Sequence, residues 1–373
     1  MYEQINAVAQ FNFQINRVLT YGDAACDHEE IARRTSGIRT MEEWTGTWQQ
    51  MAQEALIQKK YLHAAFDFRM AEFFLKEEHP QKQQMYERAV DCFYRAFDEL
   101  QYDYEVHEIS YKATQMHSLR LGSDGGRPLL ICGGYDSFIE EFIPALTDLI
   151  PAGYTMYLFE GDGQGRTLKN GLKFIYNWEE PVKCIMDYYG LQNCPMIGIS
   201  WGGYLAMRAA AFEPRISGVI AYDAADNGYE IMTHILPPVL RFMVRHGFAR
   251  GRAGTVNSLI AFARKKSLLA DWAFTQGMYI TGTKSAYEFY QEMNRHRLDQ
   301  VAGRIHQDCL LLAGEKDHYI PKCQFYRLQK ELTAAHSVTA RMFTEAEGGE
   351  QHCQIGNHRL AADEIMGWIA GLN

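Results

Sequence analysis

The segment Met196-Ile197-Gly198-Ile199-Ser200-Trp201-Gly202-Gly203 leaves few backbone paths open. An apolar run ends in G-x-S-x-G and passes directly into helix-forming residues, Tyr204 to Ala211. The pattern predicts a buried strand, a tight strand-to-helix turn and a helix, with a serine hydroxyl held above the end of a sheet. Gly198 and Gly202 flank the serine because side chains there would collide across so tight a turn. The helix that follows aims its N-terminal N–H groups at any negative charge the serine generates. Such a turn implies a serine nucleophile for acyl transfer if the rest of the chain supplies partners.

From Tyr104 onward strand and helix patterns alternate, which predicts an α/β fold with a mostly parallel, doubly covered sheet. Val106–Ala113 and Met116–Arg120 read as opening strands, followed by Pro128–Cys132, Tyr154–Phe159, Pro195–Ile199, Ile216–Tyr222, Cys309–Ala313 and Val338–Phe343. Most are short, apolar and bounded by Gly, Asp or Pro, as central parallel strands are. Before Tyr104 the periodicity is helical: Met41–Lys60 carries Trp44, Trp48 and Met51, Tyr61–Lys76 carries Phe66, Met70 and Phe73, and Gln84–Leu100 carries Tyr86, Phe93 and Phe97. These aromatics read as core between helices, with a minority facing a substrate pocket. The expected division is a helical cap domain over 1–104 and a catalytic domain over 105–373, with a helical lid inserted at about 227–305. Within that insertion, Ile231 to Ala270 holds no Asp or Glu but has Arg241, Arg245, Arg250, Arg252, Arg264, Lys265 and Lys266. The stretch reads as a solvated helix face, with an anionic substrate or an interfacial contact as the alternatives.

A formal charge of -9 argues against nucleic acid as the main partner, and no apolar run reaches membrane-span length. The first residues show neither the basic nor the apolar region of a secretory signal. The eight cysteines are scattered without a C-x-x-C pair, which reads as reduced thiols in a cytoplasmic protein. No H-E-x-x-H or comparable spacing supports a metal site, and no cofactor is expected.

A serine hydroxyl needs a histidine to take its proton and a carboxylate to fix that histidine's tautomer. In a sheet of this order the acid follows the serine and the histidine comes last. Asp317, in the loop after the strand Cys309–Ala313, is the expected acid, with Glu315 as a substitute. His352 in Gly348-Gly349-Glu350-Gln351-His352-Cys353-Gln354 is the expected base; His318 reads as a loop side chain and His358 as part of the final helix. The oxyanion donors are expected to be the N–H of Trp201 and the N–H of Tyr135, with Gly134 next, in the loop Gly133-Gly134-Tyr135.

With serine, acid, histidine and oxyanion loop in this order, the chain resembles the α/β-hydrolase superfamily over roughly Tyr104 to Asn373. The segments G-G-Y-D-S-F-I-E-E, Glu160-Gly-Asp-Gly-Gln-Gly and G-G-E-Q-H-C-Q-x-G-N are similar to one subgroup. It contains 2,6-dihydroxypseudooxynicotine hydrolase, fungal polyketide-shortening hydrolases of pigment pathways and the fermentation–respiration switch protein. Asp162 departs from the pattern, since related loops more often carry Pro there. The resemblance implies a helical N-terminal region, a pocket between that region, the lid and the sheet edge, and a small-molecule substrate. It implies cleavage of a C–C bond beside a ketone, or of an ester, in an aromatic or polyketide-like molecule through an acyl-enzyme. A C–C leaving group needs a proton, for which Asp223, Asp226 and Glu230 are candidates. Glu230 best matches the spacing of the accessory acid in the carbon–carbon hydrolase, and Asp223 reads more readily as a helix cap. Peptidase, lactonase or acyltransferase activity on the same triad, and a non-catalytic regulatory binding protein, remain alternatives. Oligomeric state stays open, relatives often being dimers.

Overall fold

The computed structural model describes residues 1–149 and 153–372. They divide into two compact units: the first comprises Met1–Asp103, Glu140–Thr147 and Ile355–His358, the second Tyr104–Ile139, Asp148–Gln354 and Arg359–Asn373.

The first unit is helical. It holds α1 (Ala9–Leu19), α2 (His28–Thr35), α3 (Met41–Ile57), α4 (Tyr61–Phe73), α5 (Lys82–Glu99) and the short α6 (Ile143–Leu146). Helix α3 begins with a capping box in which Thr40 accepts from Glu43 N and the Glu43 carboxylate accepts from Thr40 N. Trp44, Trp48, Phe66, Phe93 and Phe97 are fully buried, and Phe11 stacks on Trp44 at 4.9 Å. The core also encloses charge. Arg69 lies 2.5 Å from Glu72 and 2.6 Å from Glu141, Lys82 lies 2.5 Å from Glu72, and Arg17 lies 2.6 Å from Glu141. Glu141 is the last residue of the G-G-Y-D-S-F-I-E-E run, so this run begins in the sheet unit and ends in the helical one.

The second unit is built on the sheet. In chain order it contains β1 (Tyr104–Tyr111), β2 (Thr114–Leu121), β3 (Arg127–Cys132), β4 (Tyr154–Glu160), α7 (Gly165–Lys169), α8 (Glu179–Tyr189), β5 (Cys194–Ile199), α9 (Gly202–Ala210) and β6 (Ile216–Tyr222). Helices α10 (Gly228–His234), α11 (Pro238–Ala249), α12 (Ala253–Lys266), α13 (Leu268–Thr281) and α14 (Ala286–Met293) follow, then β7 (Asp308–Gly314), α15 (Lys322–Glu331), β8 (Ser337–Phe343) and α16 (Arg359–Ala370). Among the described residues the sheet runs β1-β2-β4-β3-β5-β6-β7-β8, with β1, β2 and β4 paired antiparallel and every other pairing parallel. Strand β5 is buried at every position, because crossovers on both faces leave a central parallel strand no wet side. The loops after β3, β5, β6 and β7 therefore emerge together at the carboxyl end of the sheet, where such folds place their sites.

The cationic stretch is largely used for local structure. Arg241 donates to the carbonyls of His234 and Leu236, Arg245 to Thr233 Oγ1, and Arg264 to Asp271 and Thr275. Among the described residues no helix is long and apolar enough to cross a membrane.

Candidate active site

The turn between β5 and α9 is as tight as its glycines require. A Cβ on Gly198 would meet Gly202 O at 1.8 Å, and one on Gly202 would meet Gly133 O at 2.8 Å. Between them Ser200 takes φ +63°, a left-handed conformation that L residues other than Gly, Asn and Asp seldom adopt. Its N–H donates to Tyr222 O at the end of β6, which helps hold the strained residue in place.

Ser200 Oγ lies 2.8 Å from His352 Nε2, and His352 Nδ1 lies 2.7 Å from Asp317 Oδ2. A carboxylate only accepts, so the proton belongs on Nδ1, and Nε2 is left with the lone pair that faces the serine. Asp317 is fixed by its own loop, since Oδ1 accepts from Tyr319 N at 2.8 Å and Ile320 N at 2.9 Å. Burial opposes a charged imidazole, but Asp317, Cys353 and Asp223 outweigh it and hold His352 well above the ordinary histidine range. Burial pushes the Asp317 carboxyl up while His352 opposes that shift.

The neighbouring candidates have other occupations. Glu315 accepts from Glu345 N at 2.7 Å and is exposed. His318 packs against Tyr319 at 3.9 Å, and burial pushes its pKa down to about 3. His358 precedes α16 instead of lying on it: the helix starts at Arg359, and His358 belongs to the helical unit, near Tyr21.

The loop after β3 is held against the serine turn. A Cβ on Gly134 would lie 2.8 Å from Trp201 N and 3.1 Å from Ser200 Cβ, so only glycine permits this approach. Gln164, from the Gly-rich loop after β4, donates to Gly133 O at 2.7 Å and Gly134 O at 3.0 Å. In a trans peptide the N–H points opposite to the carbonyl, so anchoring Gly134 O turns the Tyr135 N–H the other way. The Gly134 N–H is already donated to Ser137 Oγ at 3.0 Å. The Tyr135 side chain is anchored by its hydroxyl, which donates to Ala273 O on α13 at 2.7 Å. The Trp201 indole donates to His296 Nδ1 at 3.3 Å, and His296 stacks on Phe174. Burial lowers the His296 pKa to about 3, so it stays the neutral acceptor this contact needs. Asp162, at the position that departs from related loops, pairs with Lys112 at 2.8 Å.

The three carboxylates considered as proton donors separate into two groups. Asp226 and Glu230 lie 2.5 Å and 2.7 Å from Arg327 on α15; among the described residues neither shares a hydrogen bond with Ser200, His352 or Asp317. Asp223 does not cap a helix, a role that Asn227 fills for α10. It lies behind the histidine instead, with Oδ2 at 3.0 Å from His352 Nδ1 and accepting from Cys353 N at 2.7 Å. Spacing within the sequence does not reveal this contact, nor those of Gln164 and His296, because each partner lies on a separate loop. The ligand atoms of Asp223, His352 and Cys353 lie within 4.8 Å of one another, as a metal would require, but Nδ1 and the Asp223 carboxylate are already engaged.

Residues 128–350 match the family described as alpha/beta hydrolase fold. Curated relatives include the hydrolase LUC6 of a Fusarium species, 24% identical over 96% of this chain and 95% of its own length. The 20-hydroxy-prefusarin hydrolase FUS2 of Gibberella moniliformis is 25% identical over 65% of this chain and 61% of its own. Among solved structures, 2,6-dihydroxy-pseudo-oxynicotine hydrolase superposes with a TM-score of 0.70 at 16% identity, covering 96% of this chain and 95% of that one. The chain belongs to the α/β-hydrolase family and is a hydrolase with fungal hydrolases among its relatives.

Proposed function

We propose that the protein is a serine hydrolase that cleaves a C–C bond beside a ketone, or an ester, in an aromatic or polyketide-like small molecule through an acyl-enzyme on Ser200. The observation that carries this reading is the hydrogen-bonded chain from Asp317 through His352 to Ser200, at 2.7 Å and 2.8 Å. His352 Nε2 takes the Ser200 proton as Oγ attacks the carbonyl, and the N–H groups of Trp201 and Tyr135 stabilise the oxyanion. Collapse breaks the C–C or C–O bond. The leaving carbanion, enolate or alkoxide takes the proton from His352, since Asp226 and Glu230 are engaged by Arg327. Water, deprotonated by the same imidazole, then attacks the acyl-enzyme and returns the proton to Ser200. The names of the fungal 20-hydroxy-prefusarin hydrolase and the 2,6-dihydroxy-pseudo-oxynicotine hydrolase support a small-molecule substrate.

The purified protein tested against a p-nitrophenyl ester, an aromatic β-diketone and an aminoacyl p-nitroanilide should turn over the ester or the diketone. Ser200→Ala should abolish that turnover while leaving the circular dichroism spectrum unchanged. Undiminished turnover in this variant would sink the mechanism, and turnover of the anilide alone would make the protein a peptidase.

A further inference from the structure

Two carboxylates, not one, face the same nitrogen of His352. Asp317 Oδ2 approaches Nδ1 at 2.7 Å from the loop after β7, and Asp223 Oδ2 approaches it at 3.0 Å from the end of β6. Both aspartate side chains are buried, with exposures of 3% and 0%. A buried carboxylate is retained only where its oxygens are satisfied, and those of Asp223 are: Oδ2 also accepts from Cys353 N at 2.7 Å, and Oδ1 from Gln354 Nε2 at 3.1 Å. These donors are the two residues that follow the histidine. Cys353 and Gln354 take φ of +51° and +49°, two successive left-handed residues of which neither is glycine. A turn of that kind persists only where surrounding bonds over-determine it. Asp223 supplies two such bonds, and the Tyr222 hydroxyl adds a third by donating to Cys353 O at 2.8 Å.

We propose that Asp223 is a second carboxylate of the triad, a positioning residue that shares the orienting of His352 with Asp317 and clamps the H-C-Q turn that presents the imidazole to Ser200. The inference rests on the triad reading given above. It also accounts for the glutamine of H-C-Q, whose side-chain amide donates to the same aspartate that accepts the backbone N–H of Cys353. A purely structural Asp223 would need its contacts with Cys353 and Gln354 but no approach to Nδ1.

The charged and titratable groups that face the imidazole are Asp317, Asp223, Cys353 and His318, with the Tyr319 ring edge-on at 5.0 Å. If both aspartates hold the imidazolium, loss of either charge lowers the pH at which His352 becomes a base, and loss of one leaves the other in place.

The test is the rate at which a fluorophosphonate labels Ser200, measured from pH 5 to 9 in the wild type, Asp223→Asn, Asp317→Asn, the double variant and His352→Ala. Asp317→Asn is expected to keep labelling about 10- to 100-fold faster than His352→Ala, with its acid limb displaced to lower pH. Asp223→Asn should label about tenfold more slowly than the wild type, with its acid limb displaced in the same direction. The double variant should fall to the level of His352→Ala. If Asp223→Asn does not fold, the comparison of Asp317→Asn with His352→Ala still decides, because Asp223 is intact in both. An Asp317→Asn rate no better than that of His352→Ala, or an Asp223→Asn profile with an unmoved acid limb, would overturn the second carboxylate and leave the triad standing. A His352→Ala variant that labels as fast as the wild type would overturn the triad itself.

Discussion

In the helical unit Glu72 and Glu141 are buried against Arg69, and in the sheet unit Asp223 and Asp317 are buried against His352. Both clusters place two buried carboxylates around one cationic group, and both incur the same kind of desolvation cost. They differ in the cation. A guanidinium keeps its charge at any pH a folded protein meets, and Lys82 and Arg17 add further fixed charge on the same glutamates. An imidazole loses its charge within the working range. The first cluster can only hold structure together, whereas the second can pass a proton to and from Ser200. Buried charge by itself therefore does not mark a site; a buried group whose proton can leave, next to a nucleophile, does.

The largest effect that would break this comparison is at the exchangeable cation. His352→Ala should lower hydrolysis of a p-nitrophenyl ester by about four orders of magnitude or more, since a serine without its base retains only the oxyanion hole and binding. A loss of less than tenfold would mean that another group takes the serine proton.

Next is the fixed cation. Arg69→Met leaves Glu72 and Glu141 buried with one fewer partner each and should destabilise the protein by about 3–5 kcal/mol, read from urea unfolding by circular dichroism. The pH dependence of Ser200 labelling should not move in that variant, and a moved profile would show that the two clusters are not separate in function.

The pH profile sharpens the contrast further. His352 is held above the unperturbed value of about 6.5, so it stays protonated, and unable to accept the Ser200 proton, to higher pH. Turnover of the wild type should rise through a midpoint above that value and be lost as pH falls. A midpoint at or below about 6 would show that the carboxylates do not hold the imidazolium.

The smallest expected effect concerns the loop after β3. Gln164→Ala frees the carbonyls of Gly133 and Gly134 and should lower kcat about tenfold, corresponding to about 1.4 kcal/mol for a donor no longer held in place. An unchanged kcat would remove Gln164 from the account of the oxyanion hole.

The strands were legible because each is a short apolar run bounded by turn residues, and the order of Ser200, Asp317 and His352 followed from which strand each loop leaves. Helices α1 and α2 carry no such signal in the sequence. Helix α1 carries Gln10, Asn12, Gln14 and Asn16 buried among its apolar residues, which blurs the amphipathic stripe. In sequence Asp223 resembles a cap because its partners lie about 130 positions away, a separation that no periodicity encodes. Glu230 matches an accessory acid in spacing and Asp226 is a neighbouring candidate, but an arginine on α15 claims both. The division at Tyr104 followed a change in texture. Glu140–Thr147 and Ile355–His358 return to the helical unit by contacts such as those of Glu141 with Arg17 and Arg69, which leave no compositional mark.

The most direct test of the central claim is peptide mass spectrometry of the wild type after exposure to a fluorophosphonate. The account predicts one adduct, on the peptide that contains Ser200, formed at a rate that rises with pH and absent from Ser200→Ala. An unmodified Ser200 peptide in folded protein, or an adduct that persists in Ser200→Ala, would contradict it.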